Sequence, residues 1–225
     1  MIVTIYSRRW QRRREFSYYE DMKNIAEINL TVLKDNALAV KNRLPENTKL
    51  CAVVKADAYG HGSVECANAI YKIADCFAVA IIEEGLGLRR GGIEKEILVF
   101  TPANEYDIDS AIRYNLTLTV CAEKDLKIIE RECEKQKRVA KVHIKYNSGM
   151  NRNGVDGLKK LDKLLSFAST CKKVKVTGIY SHYACPEDDE IRSFATKKFL
   201  LAINKVKGYN KEVTAHISAS GGFLK

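Results

Sequence analysis

Residues 52–62 read AVVKADAYGHG. The apolar run that opens at Leu50 stops on Lys55, and an aspartate, a tyrosine and a Gly-His-Gly loop follow. Short apolar runs of this kind mark strands buried on both faces, and the chain repeats them. Candidate strands are LCAVV (50–54), CFAVA (76–80), EILVF (96–100), LTLTV (116–120), AKVHIK (140–145), VTGIYS (176–181) and VTAHI (213–217). Segments of helical period lie between them, at 63–73, 83–89, 104–115, 123–136, 155–169 and 188–206. A further helix over 30–44 precedes the first strand.

Strands that alternate with helices imply parallel pairing through crossover helices. Two α/β architectures fit, an open doubly wound sheet and a (β/α)8 TIM-type barrel. The open sheet usually carries a Gly-rich phosphate turn after its first strand, and no G-x-G-x-x-G follows residue 54. Lys55, Lys145, Tyr180-Ser181-His182 and His216 all fall at or near C-terminal strand ends. A barrel places its chemistry there, so the barrel is the expected fold. Only seven strands are found where a closed barrel needs eight. Either the segment NIAEINL (24–30) closes the gap, or the chain is an incomplete barrel, truncated before its last strand.

Composition limits the function. The chain has 225 residues, 38 Lys+Arg against 28 Asp+Glu, and a net charge of +10. Much of the excess is concentrated in RRWQRRR (8–14), and the rest is scattered lysine on helix faces, as in GLKKLDK (157–163). Residues 1–22 lack a clear period and read as a basic, disordered leader, with Met22 a credible start. Residues 23–225 form the expected barrel domain. Net charge alone is weak support for a nucleic-acid partner. No run approaches the roughly 18 apolar residues of a membrane span, and no apolar region follows the basic N-terminus. The seven cysteines include no Cys-x-x-Cys pair. They read as buried free thiols in a reducing cytoplasm, and no metal site is expected.

Lys55 decides the chemistry. A lone lysine at a strand end most often packs its stem and sends its ammonium to water. The functional alternative is an amine of lowered pKa, poised as a nucleophile toward a carbonyl cofactor. The block VVKADAYGHG resembles the N-terminal signature of bacterial alanine racemases, VVK-A-(D/N)-A-Y-G-H-G. AEINL (26–30) with LKDN (33–36) resembles the opening of that family. HIKYNSGMNRNG (143–154) is similar to its KVDTGMGRLG loop, GIYSHYA (178–184) to GxxTHFA, and HISAS (216–220) to HxANS.

The resemblance implies a fold-type III barrel that binds pyridoxal 5′-phosphate (PLP), with Lys55 as its Schiff-base lysine. It implies that Tyr59 and Ser220 hold the cofactor phosphate and that His182 lies against the pyridine ring. Arg152 would contact the phenolic oxygen and the substrate carboxylate. His216 would support an arginine at the pyridine nitrogen, and Lys145 matches a lysine that many members carry as a carbamate. Asn147 stands where most members have aspartate, and Ala219 where asparagine is usual. His182 and His216 alone would be ordinary core histidines and Arg152 a surface charge; their place beside Lys55 sets them apart.

The implied activity is interconversion of L- and D-alanine for peptidoglycan precursor supply, with Lys55 as one of two bases. In the family the second base is a tyrosine from the C-terminal β domain of the other subunit of a homodimer. The arginine at the pyridine nitrogen comes from the eighth strand. Neither is found here, so the chain by itself is expected to be a weak racemase or an inactive one. Tyr180 and Tyr183 are near, but no pattern makes either a substitute. The alternatives are a serine racemase of the same family and a non-catalytic PLP carrier; the Tyr-Gly-His-Gly block argues against the carrier.

Overall fold

The computed structural model describes residues 2–3, 26–102, 104–217 and 220–223. The strands are β1 (Ile2–Val3), β2 (Cys51–Val53), β3 (Cys76–Val79), β4 (Ile97–Pro102), β5 (Thr117–Val120), β6 (Ala140–Lys145), β7 (Val174–Tyr180) and β8 (Thr214–His216). All neighbours pair in parallel, in the order β1 to β8. The seven strands β2 to β8 curl into an incomplete barrel. Helices α1 (Leu30–Lys41), α3 (Ser63–Ala69), α4 (Ile82–Arg90), α5 (Ile108–Arg113), α6 (Glu123–Gln136), α7 (Leu158–Ala168) and α8 (Asp189–Tyr209) fill the connections. A short turn of unusual hand, α2 (Lys55–Gly60), follows β2, and α9 (Ser220–Phe223) follows β8.

The described part of segment 24–30 does not supply a strand: residues 26–29 are irregular, Leu30 opens α1, and Asn29 caps that helix by accepting the Val32 amide at 3.1 Å. Ile2 and Val3, inside the expected leader, instead pair with Cys51 and Ala52 at the sheet edge. Residues 4–25, which hold the rest of that leader, lie outside the described residues. Among the described residues, β1 and β8 are not joined by sheet hydrogen bonds.

Alternation along each strand sorts side chains between two layers. Ala52 of β2 and Val54 just after it, Phe77 and Val79 of β3, Ile97 and Val99 of β4, and Val142 and Ile144 of β6 join the large apolar core under the helices. Cys51, Val53, Ala78 and Leu98, with Cys76 and Phe100, form a smaller cluster on the other face, inside the barrel. Continuing the period of two from Cys51 and Val53 puts Lys55 on the inner face. Alternation likewise puts His143 and Lys145 of β6 and His216 of β8 on that face, while on β7 a register shift after Val176 turns Gly178 and Tyr180 onto it.

Local chemistry fixes the ends. Asp125 accepts the Cys121 and Ala122 amides at 2.7 and 2.9 Å and so caps α6, while Lys137 closes that helix in the left-handed region at φ 56°. Asp188 caps α8 through the Glu190 and Ile191 amides. At the opposite end of the barrel from Lys55, Arg89 donates to the carbonyls of Ile93, Lys95, Tyr114 and Asn115 and ties α4 to the following loops.

Candidate active site

The C-terminal rim of the strands gathers most of the ionisable groups named from sequence. Lys55 follows β2 and is half-buried, with its Nζ 5.8 Å from the centre of the Tyr59 ring. Between them the backbone makes one left-handed turn. Ala56, Asp57, Ala58 and Tyr59 have φ between 50 and 58° and ψ between 39 and 49°. Each L-residue in that conformation costs about 1–2 kcal/mol, so the turn persists only because its surroundings hold it. Within the turn, the Ala58 amide donates to the Val54 carbonyl at 3.0 Å, and the His61 and Gly62 amides both donate to the Asp57 carbonyl at 3.0 Å. The Asp57 carboxylate accepts the Ser63 amide at 2.7 Å. The His61 ring bonds the Ala58 carbonyl at 2.9 Å.

Lys145 ends β6 on the inner face and is 5% exposed. Its Nζ sits 4.4 Å above the Tyr180 ring. Burial, and then the nearby Arg152, lower its ammonium from 10.5 to about 8. Arg152 itself is exposed, on a loop that folds back over Lys145. The Val155 amide donates to the Lys145 carbonyl at 2.8 Å and the Asn147 amide to the Val155 carbonyl at 2.9 Å. Asn147 organises the loop: its Oδ1 accepts the Gly149 and Asn151 amides, and its Nδ2 donates to the Asn151 side chain at 2.9 Å. Gly154, at φ +116°, lies so close that a Cβ would come within 3.0 Å of the Lys145 stem and carbonyl.

His182 follows β7. Burial and then the charges of Lys145, Arg152 and Lys55 bring its imidazole down to about 4. The charges that act on this ring come from two strand ends, Lys55 after β2 and Lys145 with Arg152 at the end of β6. His216 ends β8, stacked on Tyr180 with ring centres 4.9 Å apart and an interplanar angle of 6°. Its Nε2 meets His143 Nδ1 at 3.1 Å, while its buried Nδ1 has no hydrogen-bond partner among the described residues. Burial, then the neighbouring His143, hold it well below 6.5. Ser220 opens α9, but its side chain lies outside the described residues, as do Ser218 and Ala219. Among the described residues no group of three His, Cys, Asp or Glu is arranged to hold a metal.

Sequence reasoning gave no role to several inner-face residues. Tyr180 is 3% exposed, and its hydroxyl meets Thr119 Oγ1 at 2.8 Å and donates to the Phe100 carbonyl at 3.2 Å. Burial raises its phenol well above 10. His143 is lowered to about 4, first by burial. Both were visible as polar residues in register with the lysine and histidine already singled out. Glu84, which bonds the Ala56 amide at 2.7 Å across 28 residues of sequence, left no such signal.

A cationic, imidazole-lined rim with one accessible amine suits an anionic aldehyde. PLP has that chemistry, and the residues present fit it: a half-buried lysine amine at the end of β2, the Arg152 guanidinium on the loop over Lys145, and a buried His216 Nδ1 without a hydrogen-bond partner among the described residues.

The family model described as alanine racemase, N-terminal domain, matches residues 28–225. An alanine racemase of Oceanobacillus iheyensis is 38% identical over 176 residues, which cover 77% of this chain and 46% of that protein. That of Streptococcus uberis is 35% identical over 170 residues, covering 76% and 46%. The chain thus spans about half the length of the curated relatives it matches. Among solved structures, alanine racemase from Bacillus anthracis with bound L-Ala-P superposes with a TM-score of 0.81 at 28% identity, over 87% of this chain and 52% of that one. Alanine racemase from Clostridium difficile 630 gives 0.81 at 28% identity, over 86% and 51%. A match of this extent, over a parallel barrel that brings Lys55, Lys145, Arg152 and His182 to one rim, identifies the chain as a member of the alanine racemase N-terminal domain family.

Proposed function

We propose that this chain is the cofactor-binding half of a PLP-dependent alanine racemase, with Lys55 as its covalent anchor. The observation that carries the reading is the gathering of Lys55, Lys145 under the Arg152 loop, His182 and His216 at the C-terminal ends of β2, β6, β7 and β8. A lysine amine and a guanidinium beside a neutral imidazole form a receptor for a phosphorylated, phenolic aldehyde. Tyr59 and Ser220 are assigned to the phosphate, Arg152 to the phenolic oxygen and the substrate carboxylate, and His182 and His216 to the pyridine side. Lys145 is assigned as a carbamate, formed when its neutral amine adds to carbon dioxide and releases a proton. That converts a cation repelled by Arg152 into an anion that Arg152 can hold.

When bound, the cofactor withdraws electrons from the substrate Cα and so acidifies its proton. Lys55 would hold the cofactor's aldehyde through its amine, and that amine would be free to act once substrate is bound. The freed amine, held at the strand end on the inner face, takes or returns the α-proton on one side. Tyr180 is unsuited to the other side. Its hydroxyl is buried against Thr119 and the Phe100 carbonyl, and its raised pKa makes it a poor proton carrier at neutral pH. Tyr183 is engaged with Thr196 at 2.9 Å. The opposite base is assigned, from the family resemblance, to a tyrosine of a C-terminal domain in a homodimer. The product would supply D-alanine to cell-wall precursors in the cytoplasm. Among the described residues no helix is long and apolar enough to cross a membrane.

The test is borohydride reduction in the presence of PLP, followed by peptide mapping, with α-proton exchange of L-alanine and L-serine followed in deuterated water. A label on Lys55 and faster exchange of alanine are expected. A label on another residue, or none in folded protein, refutes the anchor. Labelling without exchange favours a carrier, and preferential exchange of serine favours a serine racemase.

A further inference from the structure

The left-handed turn after Lys55 raises a question that its own hydrogen bonds do not answer. They close the turn from Val54 to Gly62, but the Ala56 amide, at its entry, points out of it. That amide donates to Glu84 Oε1 at 2.7 Å. Glu84 is the third residue of α4, and its other oxygen accepts the Ala80 amide at 2.7 Å and the Ile81 amide at 3.3 Å. One carboxylate therefore binds three backbone amides from two strand ends.

Helix capping alone accounts for only part of this arrangement. Asp125 stands at the same third position of α6 and accepts the two matching amides, Cys121 and Ala122, through one oxygen. The shorter acid suffices for that cap. The longer acid at α4 does the same work with Oε2 and carries Oε1 across to the loop after β2.

The Ala56 amide belongs to the peptide plane that leaves Lys55. Holding that plane sets ψ of Lys55, and with it the direction of the Lys55 side chain relative to the inner face. We propose that Glu84 is the positioning residue for Lys55, anchoring the Lys55–Ala56 peptide at the entry to the left-handed turn. Part of this proposal rests on the PLP reading above: the effect on the cofactor follows only if Lys55 is the anchor. The effect on the backbone does not depend on it. Charge-assisted hydrogen bonds are stronger than neutral ones, and an αL run loses its hold when an outside bond is removed.

The experiment compares the full chain with Glu84→Ala, Glu84→Gln and, as a cap-only control, Asp125→Ala. Two readouts are taken: hydrogen–deuterium exchange of the Ala56 amide, and the rate and midpoint of PLP attachment to Lys55 after borohydride trapping. Glu84→Ala is expected to speed Ala56 exchange and weaken attachment, each by about tenfold or more. Glu84→Gln, which keeps an acceptor oxygen, should recover part of both. Asp125→Ala should lower thermal stability through its helix cap while leaving both readouts near wild type. Ala56 exchange unchanged in Glu84→Ala, or changed equally in Asp125→Ala, overturns the proposal. If the wild-type chain takes no label at Lys55, the PLP reading fails, and the exchange measurement alone decides whether Glu84 holds the turn.

Discussion

Replacing Lys145 by methionine should stabilise the fold at neutral pH, against the usual outcome for a buried lysine that has found a partner. Lys145 is 5% exposed, and its ammonium faces an aromatic ring and feels Arg152. Its lowering from 10.5 to about 8 corresponds to roughly 3 kcal/mol, at about 1.4 kcal/mol per pH unit. The cation–π contact with Tyr180 returns about 1–2 kcal/mol of that, which leaves a net gain of about 1–2 kcal/mol for a methionine that keeps the stem. The sign follows from proton counts. Between about pH 8 and 10.5 the unfolded chain holds a proton on Lys145 that the folded chain has lost, so wild-type stability rises with pH across that window. Below pH 8 both states are protonated and the full penalty is present. The assay is urea unfolding of wild type and Lys145→Met from pH 7 to 10.5 in carbon dioxide-free buffer. Subtracting the variant removes every other titrating group. The expected difference favours methionine at pH 7 and shrinks as pH rises through 8. With added bicarbonate, wild type alone should gain stability, because a carbamate at Lys145 pairs with Arg152. A methionine variant that is less stable at pH 7, or a difference that stays constant from pH 7 to 10.5, refutes the reasoning.

Two further outcomes test the inner layer. A Cβ on Gly178 would meet the His143 ring at 2.5 Å, so Gly178→Ala should cost about 1–3 kcal/mol by overpacking in thermal or urea unfolding, and a neutral result would mean that the ring has room to move. Burial holds His143 and His182 at about 4 and His216 also well below 6.5; unfolding at pH 5 should therefore take up close to three protons through these rings, and stability should be complete above about pH 6.5 and lost as pH falls toward 4. Urea midpoints that stay flat from pH 7 to 4.5 would count against it.

The barrel was legible because its sequence signal is redundant. Each apolar run predicted a strand, and β6 falls on the expected residues 140–145, with α6 on 123–136. Helical period cannot see tertiary stops, so shorter elements such as α5 and α3 end within their predicted spans. Of the two ways offered to account for the missing strand, segment 24–30 gives none in its described part for a local reason. Its polar Asn29 takes the cap of α1, and a capped helix start cannot also be an inner strand. The left-handed turn was hidden because Ala, Asp, Ala and Tyr are ordinary residues; only Gly60 and Gly62 hinted at unusual backbone.

The site was legible to the extent that alternation carries it. On β6 the outward positions are Ala140, Val142 and Ile144, and the inward ones Lys141, His143 and Lys145. A strand that buries apolar residues toward its helices while turning lysine and histidine inward has an interior built for chemistry rather than for packing. The same parity puts Lys55 beside Cys51 and Val53 on β2, and Tyr180 beside Gly178 on β7. Parity assigns a face, however, and says nothing about who meets whom across it. That Gly178 is small because His143 occupies its space, that Tyr180 lies between Lys145 and His216, and that Glu84 reaches back to Ala56 are facts of closure in three dimensions. Lys55 therefore depends on two kinds of information. Its inward placement is written in the period of β2, while its orientation rests on a carboxylate whose position in sequence reads only as a helix cap.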